Sequence, residues 1–294
     1  MTTYAFYPGC VAKGGAPELY QSMVAVGEKL GFSLSELTGA ACTGAGVISE
    51  RDPLAGDVVN TRTFAMAEQL GHPIMTICST CTGVMAQVAS RVNQDEAYRS
   101  EVNQYLTDEG LEYRGTTEVK HLLWVLVEDY GLDRLKEMVV RPLEGVRLAP
   151  FYGCYIVRPS SSVDPLTAGR EGYLEQVIAT LGADPVEEYR GKDKCCGFPL
   201  LETNKKSSLA LTGKRLDEAR DVSADALVTP CPLCHLNLDG QQPDTPSATS
   251  TAPMPILHLP QAIGLALGIA PERLGLGRHI IDTKGFMGKL AVAG

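Results

Sequence analysis

The chain has 294 residues, 44% of them hydrophobic and 21% charged, which are the values of a folded globular protein long enough for two domains, each with its own core. A formal charge of −9 argues against nucleic acid or an anionic membrane surface as a partner, because both select a basic face. The opening Met1-Thr2-Thr3-Tyr4 has no basic or apolar run of a signal peptide, and the most apolar stretch, Ile256 to Ala270, is interrupted by His258, Pro260 and Gln261. A cytoplasmic protein without a transmembrane segment is therefore expected, with reduced thiols available as metal ligands.

A β-branched and aromatic run from Thr3 to Tyr7 predicts a buried strand that delivers Cys10 into a loop. Ala16 to Leu30 has the apolar spacing of a helix with a glycine just beyond it, and Asp57 to Leu70 reads as another. Ile74 to Ile77 reads as a strand running into Cys78-Ser79-Thr80-Cys81, and Ala89 to Glu112 as a helical insertion. The same order returns further on. A strand is predicted over Val146 to Tyr152 before Cys154, helices over Pro165 to Leu181 and Lys205 to Ala219, and a strand over Ala226 to Val228 before Cys231-Pro232-Leu233-Cys234. Gly240 to Pro255, rich in Pro, Ser, Thr and Gln, reads as a surface loop. Val119-Lys120-His121-Leu122-Leu123 matches Ile256-Leu257-His258-Leu259-Pro260, each ahead of a helix. The alternation predicts an α/β fold of two tandem pseudo-symmetric repeats, 1–145 and 146–294, joined near Leu132 to Val146. Each repeat is expected to hold a short, mainly parallel sheet flanked by helices.

The duplication is sharpest in the cysteines. Cys10, Cys42, Cys78 and Cys81 in the first half answer Cys154, Cys195, Cys196, Cys231 and Cys234 in the second. Thr43 and Cys78 are 35 residues apart, as are Cys196 and Cys231. A lone C-x-x-C reads equally as a redox dithiol, half a zinc site or half an iron–sulfur site. Five cysteines from three loops narrow this, because zinc takes four ligands whereas adjacent thiolates suit a centre with several irons. Gly153 and Gly197 let the backbone approach such a centre and offer N–H donors to its sulfur.

The pattern Cys, Cys-Cys-Gly, Cys-x-x-Cys, extending through Cys231 to Asp239 and His258-Leu259-Pro260-Gln261, resembles the cysteine-rich CCG domain, duplicated as in the B subunit of heterodisulfide reductases. The resemblance implies a non-cubane [4Fe-4S] cluster held by Cys154, Cys195, Cys196, Cys231 and Cys234, with a disulfide substrate cleaved between the repeats. In the first repeat Thr43 stands where the motif has its second adjacent cysteine, leaving Cys10, Cys42, Cys78 and Cys81. These four suit a second [4Fe-4S] cluster, a tetrahedral zinc or no metal. The departure points to the heterodisulfide reductase-like complexes of sulfur-oxidising prokaryotes. That branch implies three partners: the flavoprotein of a heterodisulfide reductase-like complex, its ferredoxin-like subunit, and a sulfur-carrier protein. The alternative is an electron-transfer or anchoring subunit of a succinate/fumarate, lactate or glycolate oxidoreductase, with zinc in the first repeat.

His235, next to Cys234, joins the five cysteines in the catalytic set as a proton donor to a departing thiolate, against a plain helix-start role. His121 and His258 occupy matching places and suit structural hydrogen bonds. Lys192 and Lys194, just before Cys195, suit either charge stabilisation at the cluster or a solvated loop. The sequence has neither a Gly-rich phosphate loop after a strand nor a hydrolase triad.

Overall fold

The computed structural model describes residues 2–157, 169–246 and 252–293. In the first half the chain runs β1 (Thr3–Tyr7), α1 (Cys10–Gly14), α2 (Pro17–Leu30), β2 (Ser33–Glu36), α3 (Ile48–Arg51), α4 (Pro53–Leu70), β3 (Ile74–Thr76), α5 (Ser79–Gln94), α6 (Glu96–Gln104), β4 (Val119–His121), α7 (Leu122–Trp124) and α8 (Leu132–Met138). A π-helical turn, Val125–Tyr130, continues α7. The second half runs β5 (Arg147–Pro150), α9 (Tyr173–Thr180), β6 (Asp184–Pro185), α10 (Lys205–Asp221), β7 (Ala226–Thr229), α11 (Pro232–Gly240), β8 (Ile256–His258), α12 (Leu259–Ala266) and α13 (Lys284–Ala293).

The strands form two parallel sheets of the same topology, β2-β1-β3-β4 and β6-β5-β7-β8. The α/β architecture in two repeats is thus as expected. The edge strands β2 and β6 have no counterpart among the predicted elements. Ser33–Glu36 is only half-buried and polar, and Asp184–Pro185 is two residues long with a proline suited to an edge. The helix predicted from Asp57 begins earlier because Asp52 accepts a hydrogen bond from Ala55 N and Pro53 opens the first turn. Of the helix predicted over Pro165 to Leu181, residues 165–168 lie outside the described residues and the helix proper starts at Tyr173. Residues 247–251 of the predicted surface loop also lie outside them.

One hydrophobic cluster joins the repeats, combining Phe6, Met23 and Trp124 with Leu148, Val177 and Ile263. Each sheet has a second cluster on its other face, around Phe64, Met85 and Tyr113 in the first repeat and Phe151, Leu216 and Leu227 in the second. Helix α12, buried along its whole length, packs on α2 across the junction. The shared core fixes the sheets relative to each other, and with them the loops at their strand ends.

Candidate metal centres

Every cysteine loop follows the carboxyl end of a parallel strand, beside the point where strand order reverses between β1 and β3 or β5 and β7. That crevice is where parallel α/β sheets carry their sites. In each C-x-x-C the first cysteine stands at the N-cap position of a helix, Cys78 before α5 and Cys231 before α11, and only Cys78 accepts a capping hydrogen bond with its side chain. The approach is identical in both, since Cys78 N donates to Thr76 Oγ1 at 3.2 Å and Cys231 N to Thr229 Oγ1 at 3.3 Å.

In the second repeat, Cys196, Cys231 and Cys234 are buried while Cys154 and Cys195 are half-buried. Cys196 interacts with Cys195 and Cys234, and Cys234 also with Cys231. Gly153 brings Cys154 to the same place: a Cβ on that glycine would lie 2.8 Å from Cys234 Sγ. The amides of Gly197 and Phe198 point at Cys195 Sγ (3.4 Å) and Cys196 Sγ (3.5 Å), placing N–H dipoles where negative sulfur is stabilised. Hydrogen bonding with Cys234 and then Cys78 holds the Cys231 thiol well below its usual range. Cys234 is held up, first by its bond to Cys196. Four sulfurs in one chain of contacts, with Cys154 delivered beside them, give a soft, all-sulfur donor set of five, which fits a multinuclear iron centre and exceeds what one zinc ion uses.

The first repeat is more open. Cys10 and Cys42 are exposed, with Sγ atoms 3.4 Å apart, while Cys78 and Cys81 are buried. Burial, then the bond to Cys42, pushes the Cys10 thiol up to about 11. Cys81 N donates to Cys78 Sγ at 3.3 Å, and Thr43 Oγ1 donates to Cys81 Sγ at 3.8 Å. Thr43 therefore faces the sulfurs from the place that Cys196 takes in the other repeat. A hydroxyl there offers a hydrogen bond where a thiolate would offer a ligand.

The two centres touch. Cys78 interacts with Cys231, and Thr80 Oγ1 lies 3.5 Å from Cys231 Sγ. The Pro230 carbonyl, one residue before Cys231, accepts from Ser79 N (3.2 Å) and Ser79 Oγ (3.1 Å) and lies 3.0 Å from His121 Nε2. A cavity of about 150 Å³ opens beside Cys10, Cys42, Cys78 and Cys81 and is closed from the second repeat by Phe198, Pro232 and Leu233.

The model of the cysteine-rich domain, CCG, matches twice, over residues 4–86 and 148–239. The chain belongs to this family, in the duplicated form of the heterodisulfide reductase B subunit. It is 36% identical over 281 residues, 95% of the chain and 97% of the relative, to the 8-methylmenaquinol:fumarate reductase membrane anchor subunit of Wolinella succinogenes. It is 28% identical, over 99% of the chain and 97% of the relative, to the B subunit of the ferredoxin/F(420)H(2)-dependent CoB-CoM heterodisulfide reductase of Methanosarcina acetivorans. A crystal structure of a hypothetical protein from Helicobacter pylori shares the fold, with a TM-score of 0.77 and 16% identity over 96% of the chain and 52% of that structure's chain.

Of the remaining expected residues, His235 and His258 meet and the others stand apart. His121 and His258 both end the last strand of their sheet, but their contacts differ: His121 reaches Pro230, whereas His258 Nε2 lies 3.3 Å from Glu18 Oε1. His235 Nε2 meets the Ile256 carbonyl at 3.1 Å, and its ring stacks on His258. Lys192 is tied to Glu175, Glu188 and the Glu187 carbonyl, and Lys194 to Asp193. No helix among the described residues is long and apolar enough to cross a membrane. Sequence reasoning missed Asn60, Thr212 and Asn237. Asn60 holds the Thr43 carbonyl at 3.0 Å, and Asn237 and Thr212 hold the Cys196 carbonyl at 2.8 and 3.2 Å. Their spacing gave no signal, since Asn60 lies 17 residues after Thr43 whereas Thr212 and Asn237 lie 16 and 41 after Cys196.

Proposed function

We propose that the chain is the iron–sulfur subunit of a heterodisulfide reductase-like complex. In this reading Cys154, Cys195, Cys196, Cys231 and Cys234 hold a non-cubane [4Fe-4S] cluster, and Cys10, Cys42, Cys78 and Cys81 hold a second [4Fe-4S] cluster or a zinc ion. The observation that carries it is the run of sulfur contacts from Cys195 through Cys196 and Cys234 to Cys231, reached by the close approach of Gly153. When bound, the cluster would supply electrons singly, so that cleaving an S–S bond to two thiolates draws two of them.

The protein's own part is positional and electrostatic. Burial of Cys196, Cys231 and Cys234 keeps water from the centre, and the Gly197 and Phe198 amides stabilise anionic sulfur. The cavity beside the first-repeat cysteines gives a small disulfide, persulfide or thiol a place within reach of both repeats. Electrons would come through the flavoprotein and the ferredoxin-like partner of the complex, and a sulfur-carrier protein would present the substrate. The reading leaves the reacting centre to the five cysteines, while His235 is bonded to the Ile256 carbonyl and stacked on His258. It places the chain on the cytoplasmic side, held by its partners.

A second reading has a specific observation behind it: the Wolinella fumarate reductase relative is 36% identical, and Thr43 removes the fifth ligand from one site. In that case the chain is an electron-transfer or anchoring subunit of a fumarate-type oxidoreductase, with zinc in the first repeat. Iron, acid-labile sulfide and zinc per chain, measured on protein purified without oxygen, separate the cases. About eight irons without zinc keep two clusters; about four irons with one zinc leave a single redox centre. Zinc with almost no iron in intact protein rejects both redox readings.

A further inference from the structure

Outside the cysteine centres, His235, His258 and His279 meet Glu18, Asp239 and Gln261. They come together where α2 of the first repeat approaches α11, the start of α12 and the segment before α13. The His235 and His258 rings stack with centroids 3.8 Å apart, and His279 stands edge-on to His235 at 4.8 Å. His235 and His258 are 2% and 0% exposed, and Glu18 and Asp239 are buried beside them. Burying two carboxylates is costly unless positive charge answers them. Arg278 approaches Glu18 only to 3.6 Å, from a largely exposed position. Burial pushes Asp239 up to about 6, the shift that a nearby cation would reverse.

The hydrogen-bond pattern points the same way. Each ring is engaged through Nε2: His235 with the Ile256 carbonyl at 3.1 Å, His258 with Glu18 Oε1 at 3.3 Å, and His279 with the Gln261 amide, whose Nε2 and Oε1 lie at 2.9 and 3.1 Å. Nδ1 of His235 and Nδ1 of His279 have no partner. Where Nε2–H is donated to an acceptor, as from His235 to the Ile256 carbonyl, Nδ1 carries a lone pair, and leaving such a group buried and unbonded is costly. Metal-binding imidazoles adopt this arrangement, one nitrogen donating to a carbonyl or carboxylate and the other left for the ion. Asp239 is oriented as well, since its two oxygens accept from Ile280 N at 2.7 Å and Ile281 N at 3.1 Å. One ligand atom from each of His235, Asp239 and His279 lies within 4.8 Å of the others, and the same holds for Glu18, His235 and His258.

We propose that His235, Asp239 and His279 bind a divalent first-row transition metal, with His258, Glu18 and Gln261 orienting the ligands around it. This triad is preferred because binding through Nδ1 of His235 and His279 breaks none of the hydrogen bonds above, whereas using Glu18 would compete with its bond to His258. Tetrahedral ligands at about 2.1 Å from zinc are about 3.4 Å apart, so the group closes by about 1 Å on the ion. No bond to Nδ1 resists that movement. Nitrogen and oxygen donors set the site apart from both cysteine centres, and the ion would fasten the segment before α13 to α11. The site stands independently of the redox reading.

The test uses the full chain purified without oxygen, given one equivalent of Zn²⁺ and measured by zinc K-edge X-ray absorption. Zinc should show nitrogen and oxygen neighbours at about 2.0–2.1 Å, and Asp239→Asn and His279→Gln should each remove that shell while iron content stays at the parent level. Zinc in the four-cysteine set would show sulfur at about 2.3 Å instead. Sulfur alone around zinc, or a nitrogen and oxygen shell that survives both substitutions, overturns the proposal. Asp239 also holds two backbone amides, so the half-buried His279 provides the milder variant. Zn²⁺ should raise the melting temperature of the parent and leave that of His279→Gln unmoved, and an equal rise in both counts against the site.

Discussion

The two repeats share strand order, a cysteine at a helix N-cap position and even the hydrogen bond that sets each C-x-x-C, yet their centres differ in enclosure and in one side chain. The carbonyl of Thr43 is held by Asn60 and that of Cys196 by Asn237 and Thr212, so the backbone at the variable position is anchored in both. What has diverged is the group offered to the metal: a buried thiol in one repeat, a buried hydroxyl in the other. Duplication here preserves the frame and leaves ligand chemistry free to change, a division expected when strand ends position the loops and single side chains decide the coordination.

Removing the distinguishing side chain has the largest expected effect. Cys196→Ala should strip the second centre, lowering iron by about four per chain, and abolish disulfide chemistry. The fold should survive because the shared core is untouched. Iron analysis, electron paramagnetic resonance and circular dichroism on one preparation would show this, and retained iron with retained activity would remove Cys196 from the centre. The converse substitution, Thr43→Cys, places a thiol at a site already 3.8 Å from Cys81 Sγ. It should convert the first centre toward the spectrum of the second, and an unchanged spectrum and metal content would mean that enclosure, not ligand count, sets the difference.

Much of this contrast is legible in the sequence, for a physical reason. Cysteine spacing is fixed by the strands and helices between the ligands, so a metric repeat of cysteines exposes the repeat of the fold, and Thr43 stands out against Cys196 without any structure. The half-buried β2 and proline-bearing β6 escaped because they lack the apolar alternation that marks a strand. Contacts between the repeats escaped for another reason. Nothing local marks Thr80, which meets Cys231 from 151 residues away, or the split between His121 and His258, which occupy equivalent positions and face different neighbours. The histidine cluster likewise gathers residues from Glu18 to His279, a convergence that only the packed structure reveals.

That split gives a pH test. Burial lowers His121 from 6.5 to about 4, so the fold holds its imidazole neutral while the unfolded chain does not. The sign follows directly: its stabilisation is complete above about 6.5 and is lost as pH falls toward 4, roughly 3 kcal/mol across the window. His121→Gln should flatten the acid limb of the stability curve by up to about 2 kcal/mol between pH 7 and pH 5, read as the difference between urea midpoints at the two pH values for variant and parent. An acid limb of unchanged steepness would assign it to the other buried histidines.

The smallest effect isolates the glycines that deliver the first cysteine of each set. Gly9 and Gly153 both have positive φ, 81° and 71°, so alanine at either position carries a backbone penalty of roughly 1–3 kcal/mol. They differ in what a Cβ meets: ordinary contact at 3.4 Å from Cys81 Sγ for Gly9, but 2.8 Å from Cys234 Sγ for Gly153. A sulfur bound to a metal cannot rotate away as a free side chain can, so the second clash falls on the centre itself. Calorimetry should therefore find comparable losses of melting temperature in Gly9→Ala and Gly153→Ala, while metal analysis finds the first centre of Gly9→Ala still loaded and the second centre of Gly153→Ala depleted. Equal depletion would mean that backbone strain alone governs both loops, and the tighter enclosure of the second repeat would then have no bearing on how firmly it holds its metal.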